Sequence, residues 1–132
     1  MNRRENFHTP KPGDLQGKNI GYLQMEDIDE RGNLKSAGGK PALIIFQSSW
    51  CGHCKTAKPE FQKFADMNEG KVMCITIQGD EDKQKEISEK MMGLLGIQGF
   101  PSYKWFVNGQ YMDHKYCRKM EDLNKALVEF MY

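Results

Sequence analysis

The sequence has no apolar run long enough to cross a bilayer, which takes about 20 residues, and this excludes a helical membrane span. It also lacks an excess of either charge: 19 Lys and Arg against 18 Asp and Glu leave a formal net charge of +1. A chain so balanced has no electrostatic case for nucleic acid or a membrane surface as partner. The basic residues near the start, Arg3, Arg4, Lys11 and Lys18, are spread among acids and read as a solvated arm rather than a binding patch. Internal repeats and low-complexity stretches are missing too. No apolar segment follows Met1, so the sequence as written holds no secretory signal. It ends Glu129-Phe130-Met131-Tyr132, without a Lys-Asp-Glu-Leu retention tag. The expectation is a cytoplasmic, reducing setting, with a virion or processed secretory-pathway form left open. There, four cysteines point to redox or metal chemistry before structural disulfides.

What is present suits one domain. The 132 residues, 39% hydrophobic and 11% aromatic, can fill a core without staples. Residues 1–18 read as a flexible N-terminal arm, with turn signals at Pro12-Gly13, and 19–132 as the folded domain. Ile20 to Leu23 predicts a short edge strand, and Met25 to Leu34 a weak helix or loop. Ala42-Leu43-Ile44-Ile45-Phe46 is a continuous apolar run between turn residues, which predicts a strand buried on both faces. A helix should follow from near Cys51 to about Met67, with Phe61 and Phe64 on its apolar face and Pro59 kinking it. Lys71 to Ile77 predicts a second buried strand, and 83 to 95 a helix. Tyr103 to Val107 and Gln110 to Met112 flank Asn108-Gly109, a strong hairpin signal. Leu123, Leu127, Val128 and Met131 make one stripe of a last helix. This order predicts an α/β fold, a mixed sheet with helices on both faces.

The chemistry concentrates at Cys51-Gly52-His53-Cys54, which opens a predicted helix straight after a predicted buried strand. N–H groups in a helix's first turn are unpaired, and the helix dipole favours negative charge there. A Cys51 thiolate, the attacking species in disulfide exchange, is therefore favoured. Two intervening residues let Cys54 reach Cys51 and resolve a mixed disulfide. His53 adds positive charge beside the pair, which should make it more oxidising. Half of a zinc site is the alternative, with Cys74, Cys117, His8, His53 or His114 as further ligands, but none forms a second close pair. Cys74, inside an apolar strand, reads as a small buried hydrophobe. Cys117 reads as an incidental surface cysteine, a regulatory thiol being the alternative.

The segment Phe46-Gln47-Ser48-Ser49-Trp50-Cys51-Gly52-His53-Cys54-Lys55, with Pro59 beyond it, resembles the active-site segment of the thioredoxin superfamily. Cys-Gly-His-Cys is the form typical of protein disulfide isomerase catalytic domains. Gly96-Ile97-Gln98-Gly99-Phe100-Pro101-Ser102-Tyr103 resembles the family's cis-proline loop, and Tyr116 to Leu123 the start of its last helix. The resemblance covers about residues 18–132. It implies a thioredoxin fold and dithiol–disulfide exchange on cysteine-containing protein substrates, as oxidase, isomerase or reductase. No cofactor or metal is implied, because the two sulfurs carry the electrons. A redox partner such as glutathione or a thioredoxin-type reductase is, and the chain is expected to be a monomer. Cys51 is then the nucleophile and Cys54 the resolving cysteine. His53 and Arg118 assist, Arg118 by lowering the resolving thiol's pKa. Trp50, Gly52, Phe100 and Pro101 form the substrate surface, Pro101 after a cis bond. From the residues alone Trp50 can also be a simple core aromatic, Pro101 reads better as a trans turn proline, and Arg118 reads equally as a surface arginine. The family places a buried carboxylate six residues before the first cysteine, where this chain has Ile45, and its companion lysine at about Cys74. That departure implies slow resolution by Cys54, and it raises the alternative of a non-catalytic polypeptide-binding module.

Overall fold

The protein is described here by a computed structural model covering residues 19–35 and 40–112, together with 123 and 125. Strand β2 (Ala42–Gln47) is buried along its whole length. Its side chains alternate in the way a strand's geometry demands. Leu43 and Ile45 enter one apolar cluster, and Ala42, Ile44 and Phe46 enter the other. Helix α1 (Gly52–Met67) closes the first cluster with Ala57, Phe61, Phe64 and Ala65. Helix α2 (Lys85–Leu95) closes the second with Ile87, Met91 and Leu95. The two helices thus lie on opposite faces of the sheet, and a continuous apolar run is what such a central strand needs.

The sheet is ordered β1-β3-β2-β4-β5. Strands β1 (Ile20–Tyr22) and β2 both run parallel to β3 (Met73–Gln78). Strand β4 (Ser102–Val107) runs antiparallel to β2, and β5 (Gln110–Met112) antiparallel to β4. The β4–β5 hairpin turns at Asn108 and Gly109, both at positive φ (54° and 84°), as a tight two-residue connection requires. Boundaries differ modestly from expectation. Cys51 caps α1 rather than joining it. A 3₁₀ turn at Asp82–Gln84 precedes α2, and of the weak helix or loop expected over 25–34 the structure forms the loop, with another such turn at Met25–Asp27. Helix α1 runs through Pro59, which sits on its exposed side. The arm 1–18, most of the expected last helix, Arg118 and Cys117 lie outside the described residues. Leu123, which does not, is helical and fully buried against the α1 side of the sheet.

Candidate active site

Parallel pairing of β2 with β3 makes the chain reverse after β2, so α1 starts above the C-terminal end of the sheet. The loop between them is tied down from the far side of β3. The Gly79 N–H donates to the Gln47 carbonyl at 2.8 Å. The Ser49 N–H donates to the Asp80 carboxylate at 3.0 Å, and the Ser49 hydroxyl donates to its other oxygen. Burial alone would raise the Asp80 carboxyl, but the two Ser49 donors, together with the Gln78 side chain and the Asp80 backbone, outweigh it and hold the group below the usual carboxylate range.

Cys51 then caps α1, with extended backbone (φ −80°, ψ 118°). Its Sγ accepts the Cys54 N–H at 3.2 Å, one of the donors a helix start leaves unpaired. Its S–H donates to the Phe100 carbonyl at 3.5 Å. Phe100 is joined to Pro101 by a cis peptide bond, and it holds its position through Gly79. A Cβ on Gly79 would lie 2.5 Å from the Phe100 ring tip, so that ring rests on bare backbone. The Trp50 ring meets Phe100 edge-on, 6.1 Å between centroids at 74°. Trp50 is 70% exposed, which removes the core-aromatic reading. Gly52 and His53 are exposed as well, and a side chain at 52 would meet nothing within 4 Å.

Cys54 lies beneath this surface, fully buried. Burial first, then the bond to Cys51, push its thiol up to about 12. The Ser48 backbone and the Lys58 charge act in the opposite direction. Cys51, Cys54, Trp50, Phe100 and Pro101 are thus brought together, with Gly52 and His53 at the rim. Cys74 is elsewhere, in the α1-side core, free and pushed up to about 12 by burial and then by Asp66. Among the described residues no group of three or more His, Cys, Asp or Glu is placed to hold a metal ion. Sequence reasoning passed over Gln47, Ser49, Gly79 and Asp80. Glycine beside an acid at a strand end was the only signal for the last two.

A family profile described as Thioredoxin matches residues 31–130. The putative thioredoxin-like protein 453L of Invertebrate iridescent virus 6 is 35% identical over 112 residues, 73% of this chain and 81% of the viral protein. Protein disulfide-isomerase tigA of Aspergillus niger is 34% identical over 99 residues, 73% of this chain and 26% of that protein. Protein disulfide-isomerase A5 of Mus musculus is 32% identical over 95 residues, 72% of this chain but 17% of its own length. The chain therefore spans about a quarter or less of these isomerases. The crystal structure of Malassezia sympodialis thioredoxin superposes with a TM-score of 0.65 at 24% identity, covering 95% of this chain and 98% of that one. Thioredoxin f from spinach chloroplast, short form, gives 0.67 at 20% identity, over 86% and 95%. At those identities the two structures speak for the fold.

Proposed function

This chain belongs to the thioredoxin family, and from that premise we propose that it exchanges disulfides with cysteine-containing proteins through Cys51 and Cys54. Thiol–disulfide oxidoreduction is the general activity class of these relatives; the roles of individual residues and the direction of exchange are the proposal. The observation that carries it is the setting of the Cys51 sulfur. It sits at the cap of α1 with the Cys54 N–H on one side and the Phe100 carbonyl on the other. Cys51 attacks one sulfur of a substrate disulfide, and the other substrate sulfur leaves as a thiolate. Cys54 then attacks Cys51, releasing the substrate as a dithiol and leaving Cys51–Cys54 oxidised; run backwards, the same steps donate a disulfide. Trp50, Gly52, Phe100 and Pro101 form the docking surface, where an extended segment can add to the loop backbone. His53, exposed beside the pair, favours the reduced form and so the oxidase or isomerase direction. Glutathione or a thioredoxin-type reductase would recycle the pair.

The test is trapping. A Cys54→Ser variant should accumulate a mixed disulfide with a disulfide-bearing peptide, and Cys51→Ser should not. Equal trapping by both variants would sink the assignment. A second reading, a polypeptide-binding module without turnover, is favoured by one observation: Ile45 is 0% exposed and buried among apolar side chains, so that position supplies no carboxylate to the interior on the α1 side. Affinity for a cysteine-free peptide that survives Cys51 alkylation, with no turnover before it, would select that reading.

A further inference from the structure

Gln47 is 0% exposed. Its Oε1 is one of four buried side-chain atoms that find no hydrogen-bond partner among the described residues, with Ser48 Oγ, Tyr103 OH and Trp105 Nε1, and it is the one of them on β2. The direction of this amide is fixed by its neighbours. The single hydroxyl hydrogen of Thr76 goes to the Ile45 carbonyl at 3.2 Å, so Thr76 Oγ1 can only accept from Gln47 Nε2, also at 3.2 Å. Oε1 is therefore the end that faces away from Thr76. A buried acceptor left empty is costly, about 1–3 kcal/mol, and calls for a reason.

Strand periodicity says what lies opposite. Ile45 packs on the α1 side with Ala57 and Phe61. Gln47, two residues on, shares that side and lies about 6.6 Å further towards the start of α1. Stepping back along α1 from Ala57 to Cys54 covers about 4.5 Å in the same direction, and Cys54 is the next buried residue of that helix. By these rises Gln47 is the β2 side chain that faces the start of α1, where Cys54 is buried. In the reduced protein Cys54 already has a hydrogen-bond partner, the Cys51 sulfur. Once Cys51 is bonded to a substrate sulfur it is a far poorer acceptor, and a buried Cys54 thiol needs another.

We propose that Gln47 is a positioning residue for resolution: its Oε1 takes up the Cys54 S–H when Cys51 is tied into a mixed disulfide, and so prolongs that intermediate. The proposal rests on the exchange chemistry proposed above. A neutral amide accepts the hydrogen bond but is no base. The Cys54 proton must still pass to a base in solvent before the thiolate attacks Cys51. The Cys51–substrate bond then breaks, its electron pair leaves on the substrate sulfur, and that sulfur takes up a proton. Gln47 acts on the first of these events by favouring the protonated thiol. Among the described residues the ionisable groups on that side are Cys51 at the cap of α1, Lys58 and Asp66 from α1, Cys74 from β3, Tyr103 from β4 and Tyr22 from β1, whose hydroxyl donates to Gln78. None of these lies on β2, where Gln47 is.

The experiment follows the mixed disulfide of the full chain with a synthetic peptide holding one internal disulfide. Acid quenching, alkylation and mass detection give its formation and decay across a pH series. Gln47→Met keeps the volume and removes the acceptor. Thr76→Val keeps the shape and frees the amide to turn its NH₂ towards the sulfur. Both variants should form the mixed disulfide at the wild-type rate and lose it roughly three- to tenfold faster near neutral pH, with the decay profile moved to lower pH. Decay unchanged or slower in both variants would overturn the proposal. If Gln47→Met does not fold, Thr76→Val decides alone. Absence of any mixed disulfide, even with Cys54→Ser, would instead remove the exchange reading, and this inference with it.

Discussion

Two thiols, Cys54 and Cys74, are sealed from solvent, and burial is the first cause that pushes each up to about 12. Desolvation disfavours the thiolate, so the native state holds on to both protons where an unfolded chain, with thiols near 9.0, releases them. The sign of the linkage follows. Between about pH 9 and pH 12 the native state binds more protons than the unfolded one, so stability is full below that window and falls as pH rises through it. The urea midpoint of the reduced protein should therefore drop steadily above about pH 9. Cys74→Val fits an all-apolar β-strand site and removes one of the two contributions, so the slope should shrink to about half. Urea titrations of both proteins across that window check this, and a slope untouched by the substitution would show that Cys74 ionises as freely folded as unfolded. Cys74 should also resist alkylation at neutral pH until the protein unfolds, because the thiolate is the reactive form.

Between elements, the decisive contact is the one that seats the cis-proline loop on the turn after β3. Gly79 offers no side chain, Phe100 lies across it, and the Phe100 carbonyl receives the Cys51 S–H. Gly79→Ala puts a methyl 2.5 Å from the ring tip, so ring or loop must shift. Overpacking of this kind typically costs about 1–3 kcal/mol. The rate of mixed-disulfide formation should fall about tenfold, since small misplacements at a reacting centre are costly. Stopped-flow kinetics alongside a urea titration would separate the two effects; lost stability with an unchanged rate would make the contact purely architectural. This is also the scale at which the sequence stops being readable. The apolar run Ala42 to Phe46 and the Asn108-Gly109 turn carry their own local signals, one in continuous burial and one in positive φ, and both elements stand where expected. The cysteine pair was legible because its chemistry is written in four consecutive residues. The Ser49–Asp80 tie and the Gln47–Thr76–Ile45 chain are not, because they join positions 31 and 29 apart that only the β2–β3 register brings together. Nothing next to Gln47 or Ser49 in the sequence names its partner until the sheet is built around them.

For the molecule as a whole, redox chemistry and folding stability are two sides of one cycle. In the reduced state the Cys51 S–H is hydrogen-bonded to Phe100, an interaction that a Cys51–Cys54 disulfide cannot keep. Losing it on oxidation favours the dithiol form in the folded chain relative to the unfolded one. Every 30 mV by which the folded pair is more oxidising than the same pair in the unfolded chain must appear as about 1.4 kcal/mol of extra stability in the reduced protein. Two independent measurements therefore have to agree: the potential from glutathione titration, and the difference in unfolding free energy between reduced and oxidised protein. The expected result is a potential nearer the roughly −180 mV of protein disulfide isomerase than the roughly −270 mV of thioredoxin, with the reduced form unfolding at higher urea. His53→Ala should lower the potential and narrow the stability gap together, because both report the same preference for the dithiol. An oxidised form that is the more stable of the two would reverse the sign. It would mean that closing the loop across the first turn of α1 outweighs the Phe100 contact and the effect of His53, and that the working direction is reduction.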